Sequence, residues 1–114
     1  EDADVKELLL EIGEGTPLPT EFALKQNYPN PFNPSTTIQF ALPGTYWLSL
    51  KVYNMLGEEV AELLNEQREQ GSYDIEWNAA NYPSGVYTYR LLAFDVSNRS
   101  KVAYTEVKKM LMLK

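Results

Sequence analysis

Tyr73-Asp74-Ile75-Glu76-Trp77-Asn78 sets an apolar or aromatic side chain at every second position and an acidic or polar one between. Successive side chains of a β-strand point to opposite faces, so this pattern turns Tyr73, Ile75 and Trp77 toward a core and Asp74, Glu76 and Asn78 toward water. The stretch reads as a half-buried strand, and its neighbours on both sides read the same way. Upstream, Thr36 to Leu42 alternates Ile38, Phe40 and Leu42 with Thr37, Gln39 and Ala41 until Pro43-Gly44 ends it. Tyr46 to Asn54 turns Leu48, Leu50 and Val52 one way and Trp47, Ser49, Lys51 and Tyr53 the other, before a turn at Met55-Leu56-Gly57-Glu58. Glu59 to Leu64 fits a short strand, although Val60, Leu63 and Leu64 fit a helical turn equally well. Downstream, the turn cluster Asn81-Tyr82-Pro83-Ser84-Gly85 leads into strands over Val86 to Phe94 and Lys101 to Leu113, joined by a polar tip from Asp95 to Ser100. Roughly six or seven short strands with turn signals about every eight to twelve residues predict an all-β fold, an immunoglobulin-like antiparallel β-sandwich of about seven strands. The cysteine pair of antibody domains is missing, so only the architecture is indicated.

The strands begin after two segments of different character. Val5, Leu8, Leu9 and Ile12 have helical spacing, while Leu8-Leu9-Leu10 also suits a strand. Gly13-Glu14-Gly15-Thr16-Pro17-Leu18-Pro19-Thr20 is linker text, rich in residues that break regular structure. Residues 1–17 are therefore expected to be the tail of a preceding region and a linker, and residues 18–114 the sandwich. Asn27-Tyr28-Pro29-Asn30-Pro31-Phe32-Asn33-Pro34 holds three prolines and three asparagines. Proline fixes φ and extends the residue before it, and asparagine caps tight turns, so this is a stiff irregular loop with Tyr28 and Phe32 as its expected anchors in the core. Gly57, Gly71 and Gly85 fall where tight turns ask for positive φ.

Composition removes most chemistry. The 114 residues make one domain, with 44 % hydrophobic and 23 % charged residues. Cysteine and histidine are absent, which excludes disulfides, thiolate nucleophiles, imidazole bases and the usual zinc sites. A net charge of -6 argues against nucleic acid as a partner, and the apolar runs are too short to insert in a membrane. No cofactor is implied. The acidic start Glu1-Asp2-Ala3-Asp4 is unlike a signal peptide, so the chain is expected to be part of something longer.

Four stretches together resemble the C-terminal sorting domains of cargo exported by the type IX secretion system. They are Leu24 to Ile38 around Asn27-Tyr28-Pro29-Asn30-Pro31-Phe32-Asn33-Pro34; Val52 to Val60 around Gly57; Gly71-Ser72-Tyr73 to Trp77 with Pro83-Ser84-Gly85-Val86-Tyr87; and Lys108-Lys109-Met110-Leu111-Met112-Leu113-Lys114. The resemblance implies a seven-stranded sandwich without catalytic function. It also implies passage through the periplasm, recognition by an outer-membrane translocon, and removal by a sortase-like surface protease. Anchoring of the trimmed cargo at the cell surface, or its release, would follow. This chain departs from the pattern in the longer stretch between Leu91 and Lys108, which predicts an extended last hairpin. The immunoglobulin-like module of flagellar hook-capping proteins is similar in architecture and keeps a structural spacer as an alternative.

Bland readings compete at each point. The proline-asparagine loop is explained as a rigid lead into a strand, and the glycines as turn geometry. Tyr73, Trp77, Tyr87 and Tyr89 would suit a carbohydrate-binding module, but alternating aromatics usually form core. The pairs Glu58-Glu59 and Asp74 with Glu76 are solvent-facing in the simplest reading. The stretch Lys108 to Lys114 is different: a terminal edge strand is a template for strand addition by a partner, and it allows strand-exchanged dimers of the isolated module. The translocon is accordingly expected to read these seven residues, and the protease to cut at Gly13-Glu14-Gly15-Thr16.

Overall fold

The computed structural model describes residues 17–114, which form an all-β sandwich. The expectations for residues 1–16, including the cleavage segment Gly13 to Thr16, lie outside the described residues. The strands are β1 (Ala23–Leu24), β2 (Ser35–Leu42), β3 (Tyr46–Tyr53), β4 (Glu59–Arg68), β5 (Gly71–Asn78), β6 (Gly85–Asp95) and β7 (Asn98–Met112). One sheet has the order β1-β2-β5 and the other β4-β3-β6-β7, with antiparallel neighbours throughout. The chain changes sheets between β2 and β3, between β4 and β5, and again between β5 and β6.

The alternation read in the sequence becomes the core. Ile38, Phe40, Leu42 and Trp77 of the three-stranded sheet are buried with Leu48, Leu50, Val52, Tyr89, Leu91, Met110 and Met112 of the four-stranded sheet. β4 is a strand and not a helical turn, and it runs on to Arg68. Its ladder with β3 shifts register twice, between Leu50 and Lys51 and between Val52 and Tyr53. Such bulges place extra residues in one strand, which is why β4 lacks a clean alternation. The last hairpin is extended as expected, but its polar tip narrows to Val96-Ser97, because β7 already starts at Asn98.

Two expectations are corrected. Phe32 is buried but Tyr28 is 81 % exposed, so one aromatic residue anchors the loop and the other faces water. Gly57 and Gly71 do have positive φ, at 82° and 156°, whereas Gly85 does not: it is the first residue of β6, paired with Met112.

Register fixes which loops share an end. Ser35 pairs with Asn78, Tyr53 with Glu59 and Thr88, and Gly85 with Met112. The proline-asparagine loop, the Met55-Leu56-Gly57 turn, the β5–β6 connection and the last residues of β7 therefore gather at one end. Leu42 pairs with Gly71, Tyr46 with Arg68 and Asp95, and Asp95 with Asn98, so the remaining turns occupy the opposite end. The chain arrives at that opposite end, where Phe22 stacks on Tyr104 at a centroid distance of 4.6 Å and Gln70 Nε2 donates to the Pro19 carbonyl at 2.8 Å.

Candidate recognition surface

The final strand is locked in place by the stretches that surround it. Phe32 N–H donates to the Leu111 carbonyl at 3.0 Å, and Leu113 N–H donates to the Phe32 carbonyl at 3.0 Å. This parallel bridge is reinforced by Leu111 N–H to Asn30 Oδ1 at 2.9 Å and Gln26 Nε2 to the Lys109 carbonyl at 2.6 Å. On the other side, Lys114 N–H donates to Ser84 Oγ at 2.9 Å and Lys114 Nζ to the Ala80 carbonyl at 3.0 Å. Met110 and Met112 point into the core, Lys109 and Leu113 are exposed, and Lys108 and Leu111 are half-buried. β7 is thus an edge strand, but from Lys109 onward its outer rim is sealed by the loop. The stretch from Lys101 to Val107 is the part that the loop leaves uncovered.

The loop is rigid because it is bolted to the core. Asn27 is buried; its N–H donates to the Tyr89 hydroxyl at 2.8 Å, and its Nδ2 donates to Thr36 Oγ1 at 2.9 Å and to the Pro29 carbonyl at 3.1 Å. The Tyr89 hydroxyl in turn donates to the Lys25 carbonyl at 2.7 Å. Burial pushes the Tyr89 hydroxyl up to about 12, so it stays protonated and able to donate. Beneath the loop, Trp77 meets Phe32, Tyr82 and Tyr87 at centroid distances of 5.8, 5.6 and 5.4 Å. The Tyr87 hydroxyl donates to the Pro83 carbonyl at 2.6 Å, the tyrosine corner of immunoglobulin-like sandwiches, and burial raises its pKa. Trp77, Tyr87 and Tyr89 are therefore core residues, and Tyr73 stacks on Phe40 at 5.4 Å. They form structure and not a sugar platform. Glu59 is engaged by Lys51 at 3.1 Å, and no cluster of possible metal ligands occurs among the described residues.

The turn after β3 is built with equal care. Asn54 Oδ1 accepts from Leu56 N–H at 2.9 Å and Glu58 N–H at 3.0 Å, and Asn54 Nδ2 donates to Glu58 Oε1 at 2.8 Å. Gly57 supplies the left-handed conformation that closes the turn. The result holds Met55 and Leu56 in water, at 78 % and 82 % exposure. A groove of about 500 Å³ runs from Asn54, Met55 and Gly57 across Val86 and Thr88 to Lys109. It continues past Val86 to Asn30 and Leu111 on one side and to Pro83, Ser84 and Gly85 on the other. A Cβ at Gly85 would meet nothing within 4 Å, so glycine there leaves the groove open. Sequence reasoning named the glycines, Lys109 and the loop as candidate residues; it placed Met55 and Leu56 in a turn within the second family stretch but gave them no role, because a turn has no period by which to judge them.

On the inner lip of β7, the Tyr104 hydroxyl donates to Glu106, whose carboxylate meets Lys108 Nζ at 3.3 Å. The bond from Tyr104, with Lys108 beside it, holds the Glu106 carboxyl below its usual range, while burial raises the pKa of Tyr104. Lys108 is thereby committed to its own strand.

In this antiparallel β-sandwich, motifs from distant parts of the chain converge around a locked final strand. Residues 26–105 match the family described as the secretion system C-terminal sorting domain, and the chain belongs to that family. No curated protein matches the chain. Membership makes the domain a C-terminal sorting signal of the type IX secretion system, which directs export to the cell surface or extracellular space through that system's machinery. The family is one of signals and not of enzymes.

Proposed function

We propose that the sandwich is read in its folded state, as a composite surface at the end where its motifs gather, by the outer-membrane translocon after the cargo has entered the periplasm. The observation that carries this is the clamp of Asn30 and Phe32 on Leu111 and Leu113, which ties the end of the final strand to the proline-asparagine loop on one rim while β6 pairs with it on the other. A signal confined to Lys108–Lys114 as a linear tag would need neither the loop nor two buried methionines. Removing Met110 to Lys114 strips the core and the signal together, so transfer of the intact domain is the cleaner test.

A fluorescent protein bearing a periplasmic signal peptide and followed by residues 16–114 is expected on the surface or in the medium of a host with the secretion system. Retention of the intact, folded fusion in the periplasm would overturn the reading. A sortase-like surface protease then removes the domain within Gly13-Glu14-Gly15-Thr16, and the cargo is anchored. The support is that, among the described residues, 17–22 lie outside the strands and precede β1, and proteases need an unpaired stretch of about six to eight residues. Mass spectrometry of exported cargo is expected to find its new C-terminus between Ile12 and Thr20, and a cut inside a strand such as β5 would refute it.

A further inference from the structure

We propose that the groove between the Met55-Leu56-Gly57 turn and β7 receives an apolar segment of the secretion machinery that carries a carboxylate paired with Lys109; this rests on the sorting reading above. The turn spends its asparagine and its glycine on holding Met55 and Leu56 where they contribute nothing to the core. Large apolar side chains presented on a rigid scaffold beside an open groove are the anatomy of an interaction surface. Val86, at 36 % exposure, forms the floor. Lys109 is the charged residue lining the groove, and among the described residues no carboxylate lies within ion-pair distance of it. Its neighbour Lys108 is occupied by Glu106 on the other face. An apolar floor with one ammonium at its rim that pairs with no carboxylate among the described residues selects an apolar partner with a carboxylate at matching distance. A second copy of this chain fits poorly, because pairing about a twofold axis through the groove sets the two Lys109 ammonium groups against each other.

The test uses the full-length protein in a host that exports it. Lys109→Glu and the double variant Met55→Ser/Leu56→Ser are each expected to lower the surface-displayed fraction about tenfold or more, while Lys109→Arg preserves it. The three positions are exposed, so the purified variants are expected to melt with the wild type. A carbodiimide, which joins amines to carboxylates, is expected to link Lys109 to an Asp or Glu of a secretion-machinery protein, and the link is expected to vanish in the fully exported Lys109→Arg chain. Undiminished export of the Lys109→Glu and double-serine variants overturns the proposal. A cross-link to another copy of this chain, or none at Lys109, does the same. Wild-type cargo left in the periplasm would instead strike the sorting reading itself.

Discussion

Asn27 and Tyr89 show how single side chains turn a loop into part of the fold. Tyr89 gives its hydroxyl proton to the Lys25 carbonyl and accepts from the Asn27 N–H, so Tyr89→Phe leaves both groups without a partner. A cost of about 1–3 kcal/mol is expected in urea unfolding, with the m-value unchanged. The same hydroxyl sets an alkaline limit. Its pKa is about 12 in the folded chain against about 10 when unfolded, so its contribution is fully present below about pH 10 and is lost as pH rises toward 12. Stability measured between pH 9 and 12 is therefore expected to fall less steeply in Tyr89→Phe than in the wild type. Phe32 and Tyr28 mark the limit of reading at this scale. Both are aromatic residues in a loop without period and both make a backbone bridge, Tyr28 to Thr37 and Phe32 to Met112, yet only Phe32 packs on Trp77 in the core.

Strands were legible wherever alternation was intact. Ile38, Phe40 and Leu42 or Leu48, Leu50 and Val52 announce their sheets, since a face must be buried and the period is two. β4 was obscured by its bulges, and β1, only two residues long, leaves no pattern to find. β7 contributes Met110 and Met112 to the core and also carries the residues proposed above for recognition. Met112→Ala is expected to cost about 2–5 kcal/mol, measured by chemical denaturation, because it opens a cavity under the loop. Hydrogen exchange divides the strand further. The amides of Leu111 and Leu113 donate to the loop and are expected to exchange with the core, whereas those of Thr105 and Val107, on the uncovered rim, exchange much earlier.

The charge of the whole chain conceals that of the domain. Six of the sixteen acidic residues and one of the ten basic residues lie in positions 1–16, so residues 17–114 are nearly neutral. The isolated domain is expected to focus at a pI of roughly 5 to 6, above the 4.6 of the full sequence, in isoelectric focusing. Arg99, Lys101, Lys108 and Lys109 lie on β7, while Glu59, Glu62 and Glu66 lie on β4 at the other edge of the same sheet. Net charge thus said less about partners than the sequence alone promised. The composite surface was equally hidden, since Asn30, Asn54, Ser84 and Lys109 are far apart in the chain and are united only by strand order. The chain arrives at one end of the sandwich and the motifs gather at the other, separated by strands such as the eight-residue β3, or roughly 25 Å. On the reading proposed above, the grip would fall at the end of the sandwich opposite the one where the described chain enters, so holding the carrier would leave the entry of its cargo uncovered.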